Sequence, residues 1–300
     1  MTMHASPSVL VRKMPWPYVP WAGGAVDPDG LCLAALYHEA SAWPKPGLVT
    51  PRDCGSHDDM DIGTFLRSID ALQGTFARMA RAAADGAAFP ALQSIGVAAE
   101  ARMLLATGGI NTHRGAIFNL GLLVAAAALR AQRPALLGLS CGEVVAHVWG
   151  EEIGQARGNS PESHGNAVFQ RYASGGARAE AMNGFPTVYR FGVPTLKYLL
   201  AAGHDRQTAL IGTLMALIEH VEDSNLLWRG GEAGLRFAQA AARRFNRAGG
   251  VAQAGWRVAL CAMHDDFVMR NLSPGGSADL VAAAWVACRL DNVSASSPWQ

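Results

Sequence analysis

Several short stretches hold acids, cations and glycines close enough together to do chemistry. Pro44-Lys45-Pro46-Gly47 fixes a lysine between two prolines on a stiff loop, a geometry that suits a phosphate as a point charge. His57-Asp58-Asp59-Met60-Asp61 offers hard oxygen ligands for Mg²⁺, with Asp58 and Asp61 three residues apart. The same carboxylates, read as the first turn of a helix, would simply favour its macrodipole. Thr107-Gly108-Gly109-Ile110-Asn111-Thr112-His113-Arg114-Gly115 joins two helical patterns. Its glycines permit close backbone approach, Asn111 or Thr112 could cap the next helix, and His113 and Arg114 add proton chemistry and charge.

Further along, Arg178 and Glu180 read as a surface ion pair of little weight unless other motifs join them. Glu222-Asp223-Ser224-Asn225 puts acids at a helix C-terminus, against the macrodipole, which hints at a site where Asp223 or Asn225 binds metal. Arg229-Gly230-Gly231 could hold phosphate. Ser273-Pro274-Gly275-Gly276-Ser277 resembles an anion-binding nest at a helix start.

Several templates are missing or fail on context. No lysine follows a glycine, so there is no Walker A loop, and GxGxxG is absent. Gly138-Leu139-Ser140-Cys141-Gly142 matches GxSxG, but a helical pattern precedes it where the nucleophile elbow needs a strand. Glu143 and His147 share a helix face without the HExxH order of a zinc site.

The elements that must position these residues are helices. Ile62, Phe65, Leu66, Ile69, Leu72, Phe76 and Met79 follow one another at steps of three and four, which predicts one amphipathic helix opening at His57–Asp61. Helices are also predicted over 92–106, 112–130, 195–202, 208–222, 234–246 and 278–290. The stretch 112–130 is apolar most of the way round, as in a central core helix. Strand alternation is not sustained anywhere. The expected fold is therefore all-α, a single compact multi-helix domain over residues 27–293 with functional loops between helices. Residues 1–26 read as a poorly ordered extension.

Composition narrows the function. Half of the 300 residues are hydrophobic and the net charge is +1, which gives no field for nucleic acid or a membrane surface. Ala116–Leu129 falls short of the roughly 20 residues needed to cross a bilayer. Five cysteines without a CxxC pair point to a reducing, cytoplasmic setting.

Taken in order, PKPGLV, GSHDDMD, ATGGINTHRGAIFNLGLL, GARAEAMNGFPTV, DSNLLWRGG and LSPGGSADL resemble the triphosphoribosyl-dephospho-CoA synthases over residues 30–290. The Gly55-Ser56-His57 form is similar to the malonate decarboxylase branch. Trp228 stands where the family would have His, and Arg114 where Lys is common in the citrate lyase branch.

The resemblance implies an all-helical enzyme that joins ATP to the 2′-hydroxyl of 3′-dephospho-CoA with loss of adenine. A separate transferase would then load the product onto the acyl carrier protein of malonate decarboxylase. It implies Mg²⁺ with the ATP, for which Asp58, Asp61 and Asp223 are the candidates. Glu180, His57 and His113 compete for proton transfer. Lys45, Thr107, Gly108, Gly109, Asn111, Arg114, Arg178, Asn225, Arg229, Gly230, Ser273, Gly275, Gly276 and Ser277 are the phosphate and substrate candidates. Two alternatives stay open: an N-glycoside hydrolase of the ADP-ribose type, and a non-catalytic nucleotide- or CoA-binding partner.

Overall fold

Two helices with almost no polar face organise the molecule. In the computed structural model, which describes residues 27–156 and 175–291, these are α5 (Arg114–Gln132) and α12 (Gly275–Asp291). In α5 every residue from Leu120 to Leu129 is buried, and in α12 the run Leu280–Cys288 is buried likewise. A helix apolar all round must be enclosed by others. Around this pair lie α1 (Pro28–Ala40), α2 (Ile62–Ala71), α3 (Thr75–Ala84), α4 (Phe89–Thr107), α6 (Cys141–Gln155) and α7 (Gly176–Met182). A π-helical turn (Val188–Gly192), α8 (Val193–Ala201), α9 (Arg206–His220), α10 (Ser224–Arg247) and α11 (Trp256–Met269) complete the enclosure. Among the described residues there is no strand, and the all-α expectation holds. Among the described residues one helix, α5, matches a bilayer in length and hydropathy, and it is mostly buried inside the bundle.

The central pair runs parallel. Gly115, in the first turn of α5, lies against the Asp279 side chain near the start of α12. At the other end Arg130 of α5 donates to Asp291 Oδ1 (2.7 Å) and to the Leu290 carbonyl (2.8 Å) of α12. The two N-termini are thus neighbours, and so are the two C-termini.

Local chemistry changes several predicted boundaries. The stripe from Ile62 to Met79 is two helices, not one: the chain turns at Gln73-Gly74, where Gly74 has φ 78°. Asp58 and Asp59 precede α2 instead of lying in its first turn. Asp61 is its N-cap, with its side chain accepting from Thr64 N–H (2.8 Å) in a capping box. Helix α9 stops at His220, so Glu222 and Asp223 do not oppose its macrodipole. Asp223 instead caps the N-terminus of α10, where a carboxylate is favourable. Arg229 and Gly230 lie within α10, which kinks at Gly231 (φ 59°, ψ −164°) and does not begin at Gly234. Gly275, Gly276 and Ser277 form the first turn of α12 instead of a nest ahead of it.

The dismissed GxSxG match is a helix cap. Ser140 closes a capping box with Glu143 at the start of α6. The loop from Trp43 to Thr50 is irregular as expected, with a cis Trp43–Pro44 peptide. The N-terminal extension, 1–26, and positions 292–293 of the predicted domain lie outside the described residues.

Candidate active site

The joined N-terminal ends of α5 and α12 carry most of the predicted motifs. The loop after α1 folds back over this end. Gly47 presses on the Leu272 backbone with φ 69°, a conformation glycine adopts without strain. Ser56 Oγ donates to the Leu272 carbonyl (2.7 Å). His57 lies between Ser273 and Arg229. Arg229 Nη2 donates to Nδ1 (3.1 Å), which leaves the proton on Nε2 to be donated to Ser273 Oγ (2.9 Å). Burial, then the Arg229 charge, holds the His57 pKa below its ordinary value, consistent with a neutral ring. Arg229 also donates to Ser56 O (2.7 Å) and Asn271 Oδ1 (2.6 Å).

Beneath this strap three carboxylates converge. Asp223 is buried and saturated. Its Oδ1 accepts from Asn225 N (2.9 Å) and Leu226 N (3.3 Å), and its Oδ2 from Ser277 N (2.7 Å) and Ser277 Oγ (2.9 Å). A side chain at Gly275 would meet Asn225 Nδ2 at 2.6 Å, so this glycine is what allows α10 to approach α12 so closely. Glu39, at the end of α1, is buried and paired with Lys45. The lysine Nζ donates to its Oε1 (2.7 Å) and to its main-chain carbonyl (2.8 Å). Asp279 receives a hydrogen bond from the Ala116 N–H of α5. Burial, then the charges of Glu39 and Asp223, drive its pKa well above the usual carboxylate range.

His113 precedes α5 and is enclosed. Its Nδ1 pairs with Ser68 Oγ (2.6 Å), which Thr112 Oγ1 also bonds (2.6 Å), and the Phe65 ring meets it edge-on. Burial, then Lys45, lowers its pKa to about 3, so the ring is neutral. Its Nε2 has no hydrogen-bond partner, an expensive omission for a buried polar atom.

The other predicted residues are placed as follows. Thr107 Oγ1 lies within hydrogen-bond reach of Met103 O (2.9 Å) and Ile110 O (2.6 Å), with one proton to give to either, and closes the turn in which Gly108 and Gly109 take positive φ. Asn111 Oδ1 caps α5 through Arg114 N–H (3.1 Å). The Arg114 side chain pairs with Glu100 of α4. Arg178 and Glu180 do not form the expected ion pair. Arg178 donates to the Ala156 carbonyl, and Glu180 accepts from Thr187 N (3.1 Å) and Thr187 Oγ1. Their helix, α7, reaches the group through Gly176, which lies beside Ser224.

The proposed metal set is not brought together. Asp61 serves Thr64, Asp223 serves α10 and α12, and Asp58 precedes α2. Among the described residues no group of three His, Cys, Asp or Glu side chains is spaced to hold a metal ion. Ser277, expected to meet phosphate, already spends both its N–H and hydroxyl on Asp223.

Glu39 and Asp279 escaped the sequence reading, as did Ser68 and Asn271. The signal for the two acids was available, because each is an acid set in a largely apolar helix, where ionisable groups are rare without a task or a partner.

Acids and cations are concentrated at one end of an all-α bundle. Residues 27–298 match the CitG family, ATP:dephospho-CoA triphosphoribosyl transferase, and the chain belongs to that family. Among its relatives is a probable 2-(5″-triphosphoribosyl)-3′-dephosphocoenzyme-A synthase of Acinetobacter calcoaceticus, 38% identical over 88% of this chain and 91% of the relative. The corresponding probable synthase of Azotobacter vinelandii is 42% identical over 87% and 90%. The synthase of Pectobacterium atrosepticum is 40% identical over 87% and 88%. No solved structure matches the chain.

Proposed function

We propose that this chain joins the triphosphoribosyl group of ATP to the 2′-hydroxyl of 3′-dephospho-CoA, releasing adenine, at the shared N-terminal end of α5 and α12. One observation carries the placement: Glu39, Asp223 and Asp279 meet there, flanked by Lys45, Arg114 and Arg229. Breaking an N-glycosidic bond builds positive charge on the ribose, as in glycoside hydrolysis, and a cluster of carboxylates stabilises that charge. The triphosphate leaves the reaction intact, so it needs cations to hold it but no group to cleave it. Lys45, Arg114 and Arg229 supply those cations through N–H groups beyond the ones their present protein acceptors use.

Mg²⁺ enters with the triphosphate, since no preformed set of protein ligands is found among the described residues. His57 and Ser273 hold the strap over the site, and Glu180 orders the turn at Thr187. The Gly55-Ser56-His57 form supports a product destined for malonate decarboxylase, loaded onto its carrier by a separate transferase. Five cysteines without a CxxC pair support a cytoplasmic setting.

The test is adenine release from ATP and Mg²⁺ by the purified chain, with and without dephospho-CoA. Release that requires dephospho-CoA, with a product heavier by one triphosphoribosyl unit, is expected. Release without it would indicate a hydrolase, and binding of both substrates with no release would indicate a non-catalytic partner.

A further inference from the structure

Resting on that reading, we propose that Asp279 is the catalytic residue that takes the proton from the attacking 2′-hydroxyl. The assignment comes from comparing the three carboxylates. Asp223 is buried and accepts four hydrogen bonds from α10 and α12. Glu39 is buried and neutralised by Lys45. Asp279 keeps part of its surface exposed and accepts from the Ala116 N–H. Of the three it alone is less than fully buried and keeps spare lone pairs. The other predicted bases are occupied or enclosed: both oxygens of Glu180 serve Thr187, both ring nitrogens of His57 are used, and His113 is sealed under Phe65.

The backbone is shaped around this side chain. A Cβ at Gly115 would overlap Asp279 Oδ2, so glycine at that position lets the carboxylate rest on the first turn of α5. The charged groups that act on it are Glu39 from α1 and Asp223 from α10. Burial, then the charges of Glu39 and Asp223, raises its affinity for a proton above that of an ordinary carboxylate.

The step balances without another reactant. A hydroxyl lone pair forms the new C1–O bond as the C1–N9 bond breaks and its electron pair leaves with adenine. The hydroxyl proton passes to Asp279, which then yields it to the departing base. Neutral adenine is released and the carboxylate is restored.

Full-length Asp279→Asn and Asp279→Glu test this, with kcat, KM for both substrates and pH–rate profiles measured against wild type. Asp279→Asn is expected to lower kcat by roughly 10²–10⁴-fold, with KM values within about threefold, and to abolish the acidic limb of the profile. Asp279→Glu is expected to restore part of kcat. An Asn variant with near-wild-type kcat, or with the acidic limb unchanged, would overturn the assignment. So would a loss confined to KM.

Should Asp279→Asn fail to fold, Gly115→Ala keeps every charge and displaces the carboxylate. It should then cost about tenfold or more in kcat with KM retained, and wild-type kcat there would count equally against the proposal. A wild-type chain that releases no adenine sinks the preceding reading, and this one with it.

Discussion

The two ends of the α5–α12 pair are both polar, yet they are built on opposite terms. At the C-terminal end Arg130 and Asp291 answer each other and share their remaining groups with neighbours. Arg130 donates to Asp291 and to the Leu139 and Leu290 carbonyls. Asp291 also accepts from Cys141 N–H (2.9 Å) and Tyr189 O–H (2.7 Å), and the Tyr189 oxygen accepts from Gly142 N–H (3.0 Å). At the N-terminal end acids crowd one another, and both His113 Nε2 and Arg114 Nε are buried without a partner. A satisfied network fixes helices in place. An unsatisfied one stores interaction energy that a substrate can claim. The same two helices thus carry a satisfied network at one end and a crowded, partly unsatisfied one at the other.

The comparison breaks most readily if the ends respond alike to mutation. Arg130→Met removes the hub of the closed end. It should cost about 2–3 kcal/mol of stability, lowering Tm by roughly 4–12 °C, while kcat/KM at a temperature where the chain is folded stays near wild type. A large loss of turnover without loss of Tm would erase the distinction.

A smaller effect is expected on acidification. The His113 pKa is depressed in the fold to about 3 from an ordinary value near 6.5. The unfolded chain therefore binds a proton here that the folded chain refuses. The stability linked to His113 is complete above about pH 6.5 and declines as pH falls from there towards 3. His113→Gln should flatten that part of the urea-midpoint profile between pH 6.5 and 4. An identical slope in the variant would show that the ring is not held neutral. The smallest effect should come from Ser140→Ala, which removes the cap of α6 far from the carboxylates. A loss of about 1 kcal/mol with unchanged turnover is expected, and lost turnover would revive the nucleophile-elbow reading.

The sequence made the helices legible because their apolar residues recur at helical spacing, and α5 was recognisable as a core element from its lack of a polar face. Termini were harder. Asp61 and Asp223 look identical as letters whether they lie inside a helix, end one or cap one, and only the hydrogen bonds to Thr64, Asn225 and Ser277 decide. The stripe through Gly74 kept its period across a turn, so periodicity joined two helices that the backbone separates.

Of the candidate site, the strap and its cations could be read from local motifs. The carboxylate cluster could not, because Glu39 and Asp279 lie 240 positions apart and meet only through packing. The three Mg²⁺ candidates, Asp58, Asp61 and Asp223, likewise do not form one group among the described residues. Spacing along the chain suggested a shared face, whereas capping had already committed two of them.

The strap also bears on when the enzyme comes into being. Gly47 rests on Leu272, Ser56 and His57 on Leu272 and Ser273, and Gly115 against Asp279. During synthesis the early helices can coil and cluster as they emerge, since their contacts are local. No part of the carboxylate cluster beyond Glu39 and Lys45 can close until α12 has left the ribosome. A partly made chain therefore carries neither the charge crowding nor the reactivity of the finished one, and the least comfortable region of the molecule is assembled last.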